Sequence, residues 1–133
     1  MNFFLPMKRI PCCTKQQKRV AQQGGKLHFY DSESMKAARE TFRGALAGSA
    51  PDTPLAGPVK MLIIWLFPTS DIKKHHKPKI STPDLDNLAG IFLDSMADVG
   101  FFVNDAQVFD LRMIKRWTSD ISGVFVELGE VAE

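Results

Sequence analysis

At 133 residues, 44% of them hydrophobic, the chain is long enough for one domain that buries about two-thirds of its unfolded surface and too short for a second independent one. Its longest wholly apolar run, Met61 to Phe67, falls far short of the ~20 residues of a membrane-spanning helix, and Phe3-Phe4-Leu5 is too short for a secretory core, so a cytoplasmic protein is expected. The adjacent Cys12 and Cys13 suit neither an ordinary disulfide nor a four-ligand zinc site, and read as free thiols. The net charge of +2 hides an asymmetry: residues 1–30 carry Lys8, Arg9, Lys15, Lys18, Arg19 and Lys26 with no acid, whereas most acids follow position 84. A polyanion bound by the basic half and cations bound by part of the acidic half would account for it.

In chain order, Met1 to Ile10 has the aromatic and branched composition of a strand, and Pro11 opens an exposed basic loop, Thr14-Lys15-Gln16-Gln17-Lys18-Arg19. Arg19 to Tyr30 reads as two short extended pieces joined at Gly24-Gly25. Asp31 is a plausible N-cap for a helix whose apolar stripe is Met35, Ala38, Phe42, Ala45 and Leu46, ending at Gly48. The Pro-rich stretch 49–58 is a surface connection. Val59 to Phe67 is almost continuously apolar, which predicts a central strand buried on both faces. A polar loop follows with the basic cluster Lys73-Lys74-His75-His76-Lys77-Pro78-Lys79. The best-marked helix then runs through Leu85, Leu88, Ala89, Phe92, Leu93, Met96 and Val99, with Gly100 at its C′ position. Gln107–Trp117 and Gly123–Leu128 read as an antiparallel strand pair. The sum is an α/β (α+β) fold with a small mixed sheet and two main helices, one domain over residues 1–133.

Three aspartates stand out. In Pro83-Asp84-Leu85-Asp86-Asn87-Leu88, two of them lie two positions apart where an extended segment enters a helix, and Asp105 follows where the chain returns from that helix. Clustered carboxylates of this kind can hold Mg²⁺ for phosphodiester hydrolysis. Spacing alone leaves a second explanation open: Asp is a favoured N-cap, acids in a first turn are stabilised by roughly 0.3–1 kcal/mol, and Asp105 could be a turn residue.

The wider string Asp84-Leu85-Asp86-Asn87-Leu88, Leu93-Asp94, then Val99 to Val108 with Asn104-Asp105-Ala106-Gln107, and Asp110 resembles the RusA family of junction resolvases over roughly residues 56–128. The resemblance implies a small mixed α/β fold, a homodimer, and paired nicks across a four-way (Holliday) DNA junction. It also implies Mg²⁺ dependence, with Mn²⁺ as a substitute, and metal ligation by Asp84, Asp86 and Asp105. Asn87 matches the family's asparagine and would orient a ligand or phosphate, or serve only as a first-turn helix residue; Asp94 and Asp110 match acids of the pattern, Asp94 in a supporting or solvent role and Asp110 behind the ligands. One departure stands against the match. Family members carry a lysine four positions after the second aspartate, where this chain has Gly90. Loss of such an electrostatic donor typically costs ~2.7–4 kcal/mol of transition-state stabilisation. Lys79, just upstream of the aspartates, is the expected substitute, ahead of Lys77 and Lys115. Lys15, Lys18, Arg19, Lys73, Lys74, Lys77 and Lys79 are the expected DNA contacts. The alternative is a junction-binding protein without cleavage activity. Trp65 is read as core, Phe101 and Phe102 as core or as wedges against opened bases, and His75 and His76 as plain loop residues or phosphate contacts.

Overall fold

A computed structural model of the chain describes residues 1–11, 19–23, 26–30 and 33–132, with the side chains of 19–23 and 26–30 left out. In chain order the elements are β1 (Asn2–Pro6), β2 (Arg19–Gln23), β3 (Lys26–Tyr30), α1 (Glu33–Leu46), β4 (Val59–Pro68), α2 (Leu85–Asp98), β5 (Val108–Thr118) and β6 (Gly123–Glu130). Four strands form one sheet in the order β1-β6-β4-β5, and β2 and β3 form a separate antiparallel hairpin. Strands β4 and β5 are parallel, joined by a crossover through α2, while β6 runs antiparallel to both β1 and β4. This is the expected mixed sheet with two main helices. The expected pairing of the last two strands is not formed: β4 lies between them. A parallel partner needs a helical crossover, which α2 supplies to β5, so β6 takes the other edge of β4.

Both helices pack on one face of the sheet. The apolar stripe of α1, Met35, Ala38, Phe42 and Leu46, is buried as its spacing predicts, as are Leu88, Ile91, Phe92 and Met96 of α2. They close over Val59, Met61, Ile63, Trp65 and Phe67 of β4, with edge-to-face contacts of Phe42 and Phe92 to Trp65 at 6.0 and 5.0 Å between centroids. Such aromatic pairs contribute about 0.5–1.5 kcal/mol beyond their area. Phe101 and Phe102 belong to the same core. Because two helices cover only one face, β4 alternates instead of being buried on both sides. Leu62, Ile64 and Leu66 are half-buried on an open face, in line with Phe4 of β1 and Phe125 of β6.

Helix α2 ends as its sequence requires. Gly100 has a φ of 93°, its N–H donates to the Ala97 carbonyl at 3.1 Å, and that of Phe101 donates to the Met96 carbonyl at 3.0 Å. A side chain at Gly100 would be strained in that conformation. No described helix is long and apolar enough to cross a membrane.

Candidate active site

The basic segment before α2 is built onto the sheet. The His76 N–H donates to the Trp117 carbonyl, the Trp117 N–H to Lys77, and the Lys79 N–H to Lys115, at 2.9, 3.0 and 3.1 Å. Residues 76–79 thus form a ribbon along the free edge of β5. Lys73, Lys74 and Lys77 are exposed on or beside it, with the Lys74 ammonium 5.4 Å from the Trp117 ring centre. His75 and His76 stack at 3.7 Å, and the His75 Nδ1 accepts from the Ser119 N–H at 2.9 Å, so His75 serves the loop itself.

Lys79 points the other way. It is only 8% exposed, and its ammonium donates to the Ser81 hydroxyl at 2.6 Å, to the Ser81 carbonyl at 3.3 Å and to the Thr82 carbonyl. It also lies over the rings of Trp117 and Phe67, 4.7 and 5.1 Å from their centres. The group expected to face a phosphate or the DNA backbone is therefore turned inward. Set against the two rings, its ammonium is directed at the protein acceptors of Ser81 and Thr82.

Asp84 is the N-cap of α2, in extended conformation, and its side chain makes no cap hydrogen bond. Asp86 lies in the first turn, and both aspartates are exposed. The Asp84 carboxylate is therefore not engaged in a helix-capping hydrogen bond. Asn87 is half-buried and takes part in an interaction of its own.

Asp105 sits in a short turn, Asp105–Gln107, whose N-cap is Asn104. The Asn104 Oδ1 accepts from the Ala106 N–H at 2.8 Å, and the Gln107 Oε1 accepts from the Val103 and Asn104 N–H groups at 3.0 Å each. The Gln107 amide then donates to the Leu55 and Gly57 carbonyls at 2.8 and 3.0 Å, pinning the turn to the segment before β4. With capping done by its neighbours, Asp105 extends to Asp94 of α2. The Asp94 pKa is raised above the usual carboxylate range, first by partial burial, then by hydrogen bonding and charge from the neighbouring Asp105 carboxyl. Arg39 opposes the rise and Asp98 adds to it. Arg39 and Arg43 of α1 reach the Asp98 carboxylate at 3.5 and 3.6 Å. These acids, Arg39 and Asn104 line a recess of ≈ 290 Å³.

The sequence-predicted residues therefore fall into two stations: Asp84 with Asp86 at the start of α2, and Asp105 with Asp94 farther along it. Among the described residues, no three His, Cys, Asp or Glu side chains gather closely enough to hold a metal ion. Asp110 pairs with Lys60 at 4.0 Å on the open face of the sheet, away from α2. Lys15 and Lys18 lie outside the described residues; Arg19 is placed only as backbone in β2. Sequence reasoning passed over Gln107 and Arg39. The Asn104-x-x-Gln107 spacing is a capping-box signature that could have revealed the first, whereas no local pattern marks Arg39.

The chain matches a family model described as "Endodeoxyribonuclease RusA" over residues 9–129. It is 27% identical over 132 residues to the "Crossover junction endodeoxyribonuclease rusA" of Lactococcus phage r1t, covering 98% of each chain. To the protein of the same name from Enterobacteria phage 82 it is 34% identical over 106 residues, 80% of this chain and 78% of the other. The similarity to the "Crossover junction endodeoxyribonuclease RusA" of Escherichia coli (strain K12) is 32% over the same shares.

Proposed function

This chain belongs to the RusA family of endodeoxyribonucleases, and we infer that it is a crossover junction endodeoxyribonuclease, a phosphodiester hydrolase that resolves four-way DNA junctions by paired nicks. One observation in its own structure supports the reading above the rest: the exposed carboxylates of Asp84 and Asp86 at the start of α2, with Asp84 left out of its helix cap. Lys73, Lys74 and Lys77 lie on the chain leading into them, where phosphates bound by the lysines would release counterions.

Asp84, Asp86 and Asp105 are the proposed ligands of Mg²⁺, or of Mn²⁺ in its place. Mg²⁺ is commonly held by one or two carboxylates together with waters and substrate phosphate oxygens, and the donor chemistry of Asp84 and Asp86 fits that pattern. When bound, the ion would supply a water acidified toward neutrality and Lewis-acid stabilisation of the phosphoryl oxygens. Asp105 stands with Asp94 in one protomer, so a three-carboxylate set draws its third member from a second protomer. The single 1–133 domain acts as a homodimer, which also suits the pseudo-two-fold symmetry of a four-way junction.

The test is incubation of the purified protein with an end-labelled four-way junction, with Mg²⁺ and with a chelator. Symmetrically placed nicks are expected with the metal and none without. A second reading, junction binding without cleavage, is favoured by Gly90 in place of the family's lysine and by the inward turn of Lys79. Junction retention without nicks at any Mg²⁺ concentration would establish that reading instead.

A further inference from the structure

Residues 80–83, which carry the chain into Asp84, belong to no helix or strand. Such a segment is held only by what its carbonyls and side chains find nearby. Two ammonium groups supply this. Lys79, from the edge ribbon, donates to the Ser81 hydroxyl and to the Ser81 and Thr82 carbonyls. Lys115, from β5, donates to the Ser81 carbonyl at 2.8 Å and to the Pro83 carbonyl at 2.7 Å. Three successive carbonyls ahead of Asp84 are therefore engaged by charged donors, with Ser81 shared between them. The Lys79 N–H also bonds the Lys115 carbonyl at 3.1 Å, so the two lysines are fixed to each other through the backbone.

The energetics favour a specific role. Burying an ammonium is costly unless its hydrogens are fully used, and a lysine that served only solubility would extend outward. Lys79 is buried at 8% exposure, with the Phe67 and Trp117 rings adding cation–π attraction. Hydrogen bonds from a charged donor are roughly twice as strong as neutral ones. Only Asp84 separates the last held carbonyl, that of Pro83, from the start of α2 at Leu85, and the first helical hydrogen bond, Leu88 N–H to the Asp84 carbonyl at 3.2 Å, closes directly behind it.

We propose that Lys79 and Lys115 are paired positioning residues that clamp the 81–83 segment from two sides and thereby set the direction of Asp84 and Asp86. This rests on the nuclease reading of Asp84 and Asp86. The lysines act through the backbone and not on the phosphate, so the absent lysine at position 90 is not replaced by either of them.

The experiment uses the full chain with Lys115→Met, which keeps the apolar stem of this half-buried residue, alongside Lys79→Met and the double variant. Single-turnover cleavage at saturating four-way junction, junction Kd and hydrogen exchange of the Leu88 amide without metal are measured together. Each single variant is expected to cut about 10- to 100-fold more slowly, the range typical of residues that orient metal ligands, with junction Kd within about threefold of the parent and faster Leu88 exchange. The double variant should lose less than the sum of the two, since Ser81 is shared. Unchanged cleavage and exchange would overturn the proposal. So would slower cleavage with unchanged exchange, which would place the lysine in the chemistry or on the DNA. If Lys79→Met does not fold, Lys115→Met alone decides. If the parent binds junctions but does not cut, the nuclease reading fails, and the exchange measurement still judges the clamp.

Discussion

The two carboxylate stations along α2 are held by opposite chemistry. At the start of the helix, two ammonium groups grip the backbone before Asp84, and the aspartates face solvent. Farther along, a neutral amide, Gln107, organises the Asp105 turn, and the carboxyl it presents meets another carboxyl, that of Asp94. At the first station the ammonium groups are spent on backbone carbonyls and Ser81, and the carboxylates are left exposed. The second concentrates negative charge, and the nearby arginines of α1 are directed at Asp98. The two stations therefore differ in exposure and in local charge: Asp84 and Asp86 are open to solvent, whereas Asp94, Asp98 and Asp105 line one recess with Arg39.

The largest effect expected from breaking this contrast is at the first station. Asp84→Asn or Asp86→Asn should lower junction cleavage by more than ~100-fold, beyond the loss seen when a group supporting a metal ligand is removed, while junction Kd stays near the parental value. Parental cutting by either variant in Mg²⁺ would remove that aspartate from the site. The next measurement sharpens the contrast by asking which chain supplies Asp105. Asp84→Asn and Asp105→Asn are each expected to be inactive, but co-refolded mixtures should nick one strand, because a mixed dimer keeps one set with both aspartates intact if the third ligand crosses between protomers. Mixtures as inactive as the separate variants would place all three ligands in one chain.

The elements were legible where a side-chain period is tied to burial. The stripes of α1 and α2 and the Gly100 stop could be read because helical spacing and a left-handed C′ residue are local properties. Sheet order was not legible: Gln107–Trp117 and Gly123–Leu128 have the composition of neighbours, and only the α2 crossover, a non-local event, puts β4 between them. The apolar run of β4 was read as two buried faces, but the number of helices available to cover it decides that, and Leu62, Ile64 and Leu66 remain half-exposed. In the site, the role given to the aspartates came from the family pattern and not from spacing, whereas the opening of α2 at Asp84 was legible from the sequence. The inward turn of Lys79 was not, since charge in a loop carries no information on which way an ammonium points until Phe67, Trp117 and Ser81 surround it.

Breaking the second station from its own support should cost stability as well as activity. Gln107→Ala removes two accepted and two donated hydrogen bonds that join residues 103–104 to Leu55 and Gly57. Leaving such partners unsatisfied is expected to destabilise the fold by ~2–3 kcal/mol, a fall in Tm of roughly 5–15 °C for a domain of this size, measured by thermal melting. Cleavage should fall at temperatures where the variant remains folded, because Asp105 loses its fixed turn. A variant with parental Tm and rate would show that Asn104 alone shapes the turn.

The smallest effect belongs to the arginines beside that station. Arg43 is 41% exposed at its side chain and shares the Asp98 carboxylate with Arg39 at 3.6 Å. Screened, partly exposed pairs contribute about 0–1 kcal/mol, so Arg43→Ala should move Tm by only a few degrees, and less in high salt. Arg39 differs, because its charge also acts on Asp94, the carboxyl that neighbours Asp105. Arg39→Ala should therefore alter cleavage more than Arg43→Ala does at matched stability. Equal rates for the two variants would mean that Asp105 takes its position from Gln107 alone, and that the arginines do no more than fasten α1 to α2.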